Sequence, residues 1–212
     1  MLIFGHLGIT LGAAVLLNGA LIKSGVMPAN QGQPDQDIEA PSPQEQRSLP
    51  LGKWSWITSL GRRIDIRILL VGSLLPDIID KPVGQLLLRE TLDNGRLFCH
   101  TLLFLIILTL LGAYVYRKTR GNWLLVLSGG VFAHLALDQI WRTPRTLFWP
   151  LYGWAFERLV DLTRWLRGIW YALFTEPSVY IPELTGIAVL VWFTIALLTR
   201  RKLCSFVTTG RF

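Results

Sequence analysis

Cysteine is nearly missing from this chain of 212 residues: Cys99 and Cys204 are the only two, too few for a disulfide framework. Charge is scarce as well, with 17% of residues charged against 51% hydrophobic and a mean hydropathy of +0.43. That balance excludes disordered, collagenous and ordinary soluble globular chains. No internal repeat is visible. What remains is a membrane protein, and the length suits one compact unit, a single membrane domain over residues 1–212, because each crossing takes roughly 20 helical residues. Acid is scarcer than base, 14 Asp+Glu against 21 Lys+Arg, for a net charge of +7. The bases sit in short clusters beside apolar runs (Arg62 and Arg63; Arg117, Lys118 and Arg120; Arg200, Arg201 and Lys202). Such clusters hold helices at the cytoplasmic leaflet, so the expected partner is the lipid bilayer and not nucleic acid.

Residues 1–22 carry no charged side chain and predict a first span. No base precedes the run and Lys23 follows it, which suits a retained anchor better than a cleaved signal. Residues 97–116, 122–141 and 184–199 predict three more spans. Residues 64–80 hold Asp65, Arg67, Pro76, Asp77 and Asp80. They predict a short span or a re-entrant helix covered by protein, where carboxylates are tolerated at membrane depth. Between Ser24 and Lys53 lie five prolines and five glutamines, and residues 23–63 read as a flexible loop. Over 151–174, Leu151, Trp154, Leu159, Leu162, Leu166, Ile169 and Leu173 recur at helical spacing opposite Glu157, Arg158, Asp161 and Arg164. An amphipathic helix in the membrane interface is expected there, and five of the nine tryptophans, Trp141 to Trp170, fit an interfacial belt. The expected architecture is all-α: a polytopic bundle of about five spans plus this interfacial helix.

Counting bases places 117–120 and 200–202 in the cytoplasm, the N-terminus outside and the C-terminus inside. Arg142, Arg145, Arg158, Arg164 and Arg167 then fall outside, which runs against the rule. In either orientation His6, Asp77, Asp80, His100 and Asp138, with His134 one turn deeper, come to the same ends of four helices. All three histidines of the chain are among them. His134 and Asp138 are four residues apart and Asp77 and Asp80 three apart, spacings that share a helix face. Imidazole with carboxylate suits Zn²⁺ first, then Mn²⁺ or Fe²⁺, over Mg²⁺ or Ca²⁺. Three other accounts stay open: a structural polar cluster, Asp77 and Asp80 pairing with Arg67, Lys81 or Arg96, and an ion path through a small transporter. Against the path, no acid lies in the middle of 97–116 or 184–199. Cys99 should point about 100° away from His100, and Cys204, on the cytoplasmic side, is not expected to pair with it.

The strings GHLGIT (His6), GSLLPDIIDKP (Asp77, Asp80), GRLFCHTLLF (His100), and HLALDQIW followed by FWPLYGW (His134, Asp138) together resemble the membrane-bound, predicted metal-dependent hydrolases of the YdjM-like family. The resemblance implies an integral protein of a bacterial or archaeal cytoplasmic membrane. It implies a metal centre of His6, Asp77, His100, His134 and Asp138, and a distant likeness to zinc-dependent phospholipase C. Relatives often read Pro-Asp-Ile-Asp-His, where this chain has Pro76-Asp77-Ile78-Ile79-Asp80-Lys81. The second acid is displaced and a potential ligand is replaced by Lys81, which implies fewer metals or a lysine contact with an anionic substrate. In a hydrolase of this kind Asp80 or Asp77 is expected as general base. Arg96, Arg142, Arg145 and Lys81 are expected to bind a phosphoester at headgroup level.

Overall fold

The computed structural model describes residues 2–23, 64–87, 94–156 and 162–210. Its long elements are α1 (Ile3–Lys23), α2 (Ile66–Pro82), α3 (Leu102–Thr119) and α4 (Trp123–Leu137). They are followed by α5 (Pro144–Leu147), α6 (Leu162–Thr175), α7 (Pro177–Thr199) and α8 (Leu203–Thr209). A widened turn, Val83–Leu87, continues α2, and tight 3₁₀ turns occupy Phe98–His100 and Ile140–Arg142. No strand occurs among the described residues. The loop expected over 23–63, with Arg62 and Arg63, lies outside the described residues apart from Lys23 at the end of α1.

Two helices, α3 and α7, are long and apolar enough to cross a membrane. Among the described residues two helices meet that criterion, against about five spans expected. Helix α4 is apolar but has 15 residues, about 22 Å at 1.5 Å per residue against a hydrocarbon core of about 30 Å. Helix α2, with 17 residues, carries Asp77, Asp80 and Lys81. It is one continuous helix through Pro76. Along α3 the apolar side chains face outward: Ile107, Leu110, Leu111 and Tyr114 are all exposed, Leu110 at 64%. A helix that is apolar all round yet uncovered by protein finds its solvent in lipid. The interior, by contrast, holds buried His6, Ser73, Asp80, Asn94, His100, His134 and Glu183.

Several boundaries differ from the sequence expectation for identifiable reasons. Helix α3 starts at Leu102 and not at 97, because Thr101 caps it, its Oγ1 accepting from Phe104 N–H at 3.1 Å. Helix α7 starts at Pro177, seven residues before the expected 184, with proline in its first turn where a missing N–H costs nothing. The interfacial helix expected over 151–174 is helical only from Leu162 to Thr175. Pro150 and Gly153, the latter at φ 117°, hold Leu151 to Phe156 out of helix, and 157–161 lies outside the described residues.

Helix α2 packs along α4 and α1 along α7, with α3 against α4 and α1 touching both α2 and α4. One apolar cluster joins Leu11, Ile66, Phe193 and Leu197, and a second joins Val131, Leu135 and Ile140. At the start of α2, Asp65 accepts from Arg67 N–H at 2.9 Å and pairs with its guanidinium at 2.6 Å. That guanidinium also donates to Val207 O of α8. The hydrogen-bonded guanidinium holds the Asp65 carboxyl below the usual aspartate range.

Candidate metal centre

Four parts of the fold deliver the polar cluster. His6 comes from the second turn of α1, Asp77 and Asp80 from the last turns of α2, His100 from the 3₁₀ turn before α3, and His134 and Asp138 from the end of α4. Asp138 is the C-terminal cap of α4, and Gln139 turns the chain away in the left-handed region at φ 50°. The three imidazoles are fully buried. His6 stacks on His134 with centroids 4.1 Å apart and planes 21° from parallel, and His100 meets His134 edge-on at 5.1 Å.

Hydrogen bonds settle which imidazole nitrogens face the cluster as lone pairs. His134 Nδ1 lies 2.7 Å from the Ser73 carbonyl oxygen. A carbonyl only accepts, so Nδ1 carries the proton. His100 Nδ1 lies 2.7 Å from Asp80 Oδ2, and that carboxylate also accepts from the N–H groups of Leu97 at 2.7 Å, Cys99 at 3.1 Å and His100 at 3.2 Å. Surrounded by donors, Asp80 is an acceptor, and His100 Nδ1 carries its proton too. The two Nε2 atoms then meet at 3.2 Å, and in neutral rings both are lone pairs. Two lone pairs at hydrogen-bond distance repel unless positive charge lies between them, either a proton on one ring or a bound cation. A tetrahedral zinc about 2.0–2.1 Å from each nitrogen sets a nitrogen–nitrogen edge of about 3.3–3.4 Å.

The other donors surround that edge. Asp77 Oδ1 lies 3.6 Å from His100 Nε2 and 3.8 Å from His134 Nε2. His6 Nε2 is 3.2 Å from Asp138 Oδ1, an ion-pair distance without hydrogen-bond direction, so both His6 nitrogens are buried without a hydrogen-bond partner. A buried imidazole in that condition fits a ligand better than a packing residue. Two overlapping triads each bring three ligand atoms within 4.8 Å of one another: His6, Asp77 and His134, and His100, His134 and Asp138. His134 belongs to both.

The remaining site residues divide. Asp80, expected as a general base, is 1% exposed and fully engaged as acceptor, so it orients His100 and folds the 97–100 turn instead. Lys81, expected to meet an anionic substrate, pairs with Asp77 Oδ2 at 2.5 Å across one helical turn. Arg96 reaches the cluster, with Nη2 2.8 Å from Asp138 Oδ2, and its side chain is 37% exposed. Arg142 and Arg145 are exposed on the short helical segments after α4. Arg67, offered as a partner of Asp77 or Asp80, pairs with Asp65. Cys99 is buried and gives only its backbone N–H to Asp80, and both cysteines are free.

The model of the YdjM inner membrane protein family matches residues 42–207. The chain belongs to that family. No curated protein and no solved structure matches it. Within this YdjM-family chain, the matched stretch contains Asp77, Asp80, Arg96, His100, His134 and Asp138 but ends short of α1. His6 therefore enters the site from outside the matched region. Sequence reasoning missed two contributors. The Ser73 carbonyl leaves no mark in the sequence beyond the small residues Gly72 and Ser73 ahead of Pro76. Glu183 is the one charged residue in Pro177–Thr199, and that solitude was its signal.

The Asp80 arrangement has a measurable consequence. Asp80→Asn places an amide NH₂ among four N–H donors, and the variant is expected to lose at least about 2 kcal/mol of stability. Divalent-metal affinity should fall about 10–100-fold as His100 loses its orientation. Thermal unfolding in detergent and chelator competition measure the two. An unchanged affinity at unchanged stability would remove Asp80 from this role.

Proposed function

We propose that this chain is a membrane-embedded, metal-dependent hydrolase of a phosphoester, such as a phospholipid or a lipid-linked phosphate. The observation that carries the proposal is the pair of imidazole Nε2 lone pairs 3.2 Å apart, each fixed by a protonated Nδ1 on the far side of its ring. His6, His100, His134, Asp77 and Asp138 would hold a divalent ion, zinc before manganese or iron. When bound, such an ion supplies Lewis acidity toward a phosphoryl oxygen and draws the pKa of water toward neutrality. His134 offers Nε2 alone, since Nδ1 is committed to Ser73, and this favours one ion per chain over two ions sharing it.

The chain's own residues provide the rest of the reaction. Arg96, half-exposed at the rim and anchored on Asp138, presents a guanidinium to an anionic phosphoryl oxygen. With Asp80 engaged, Asp77 is the carboxylate left to take the proton of the attacking water. As the water oxygen bonds to phosphorus the ester P–O bond breaks, and the leaving alkoxide takes that proton back from Asp77. The likeness to phospholipase C belongs to this proposal, as does the fuller topology: α1, α2, α3, α4 and α7 as five membrane helices, the N-terminus outside and the C-terminus in the cytoplasm. Exposed Trp141, Leu151, Tyr152 and Trp154 stand in the segment after Asp138, as an interfacial approach for a lipid substrate requires.

Metal analysis of detergent-purified protein beside an Asp138→Asn variant is the test, followed by the appearance of diacylglycerol or phosphatidate from phospholipid in mixed micelles. Metal lost in the variant, with metal-dependent turnover of the lipid ester, is the expected result. Metal binding without turnover of any phosphoester, and with a fall in unfolding temperature on chelation, would support a structural cluster that joins the helices instead.

A further inference from the structure

We propose that Glu183, on α7, is the positioning residue for His6. The inference rests on the metal-centre proposal above and extends it to a residue outside the histidine and aspartate strings. Glu183 is 3% exposed and carries the only charge in a membrane-length helix. An acid in that setting needs a reason, because burial of a carboxylate is costly unless it is paired. Its partners are backbone groups: Oε1 accepts from Leu2 N–H at 2.6 Å and Oε2 from Phe4 N–H at 3.1 Å. These belong to the start of α1, where helical N–H groups have no partner inside the helix and the dipole favours a negative charge.

His6 lies two residues beyond Phe4, and its own N–H bond to Leu2 O is long, at 3.4 Å. That bond is weaker than the 2.6 Å bond by which Leu2 N–H is held on Glu183. The rest of the helix crossing is built to allow that grip. A side chain at Gly5 would meet Glu183 Oε1 at 2.6 Å, and Gly8 and Gly186 bring the two backbones into direct contact. The contrast with the other imidazoles gives the grip its meaning. His100 is oriented by Asp80 and His134 by the Ser73 carbonyl, whereas His6 Nδ1 has no hydrogen-bond partner. The placement of His6 therefore comes from docking of the α1 backbone, and Glu183 is the polar clamp of that docking.

The test uses full-length protein in detergent, with zinc affinity measured by competition with a chromophoric chelator for wild type, His6→Ala, Glu183→Ala, Glu183→Gln and the Glu183→Ala/His6→Ala double variant. Glu183→Ala is expected to weaken zinc binding about 10–100-fold, the range for groups that orient a ligand. Glu183→Gln, which keeps one acceptor oxygen, should fall between it and wild type. The double variant should bind no more weakly than His6→Ala, because Glu183 acts through His6. Additive losses, or an affinity unchanged in Glu183→Ala, would overturn the proposal. Histidine-selective ¹⁵N spectra without metal read the same placement independently, and separate its failure from that of the metal centre. Glu183→Ala, or Glu183→Gln if the alanine variant does not fold, should shift and broaden the His6 ring signals, disturb those of the stacked His134 ring less, and leave those of His100 in place. Unmoved His6 signals would refute the positioning role, while wild-type protein that takes up no zinc but shows the His6 shift would refute only the metal centre.

Discussion

His134→Ala is expected to empty the centre. The residue supplies the nitrogen common to both candidate triads, and a structural zinc site is worth about 10–16 kcal/mol in total, or roughly 3 kcal/mol for each of four ligands. Its loss should therefore weaken zinc binding at least about 100-fold. The fold suffers too, because the fully buried ring leaves a cavity and the Ser73 carbonyl loses a donor; about 3 kcal/mol is the expected cost. His134→Gln separates the two effects. Its amide can still donate toward Ser73 and fill much of the volume, so it should recover stability while metal stays lost. If His134→Ala retained a full complement of metal at wild-type affinity, His100 Nε2 and His134 Nε2 would be neighbours for a purely structural reason.

The second large effect lies at the α2–α4 crossing. A Cβ at Gly130 would run into the backbone of α2 at Leu69 O, 2.7 Å from Ser73 N, and a Cβ at Gly72 would meet Leu127 O and lie 3.1 Å from Gly130 Cα. No side-chain rotation relieves a clash with backbone, so the helices must separate. Gly130→Val is expected to cost about 3 kcal/mol or more and to lower metal affinity in the fraction that still folds, because Ser73 and His134 sit on the two sides of this contact. Gly129→Val is the matched control: its Cβ would find only Leu69 Cδ1, at 3.8 Å. Unfolding of the two variants in the same detergent should differ clearly, and equal stabilities would mean that the crossing is looser than described.

How much of this was legible in the sequence depended on rarity. Three histidines in an apolar chain, each at the edge of a helical run, stand out, and the structure puts all three in contact. Roles were harder to read than locations. Asp80 looks like any carboxylate, and what engages it is the backbone of Leu97, Cys99 and His100, a partner without side-chain signature. Lys81 and Asp77 have the four-residue spacing of a helical ion pair, and that pairing, offered from the sequence, is the one the structure contains. Glu183 marked the apparent edge of an apolar run, so a span drawn from 184 excluded the one acid that the helix buries. The interfacial helix expected from Leu151 followed spacing alone through Gly153, where a backbone at φ 117° overrides periodicity. Apolar stretches predict helices well but do not say which helices cross: the 15 residues of α4 reach about 22 Å, against a hydrocarbon core of about 30 Å.

The bond between Leu2 and Glu183 joins residues 181 positions apart in the chain, and this separation orders events during synthesis. Leu2 is made 181 residues before the carboxylate that clamps its turn. Until α7 is in place, α1 has only its contacts with α2 and α4, and the turn that carries His6 lacks its clamp. A product that stalls before α7 would carry all six clustered acids and imidazoles, His6 through Asp138, yet lack the clamp on the turn that holds His6.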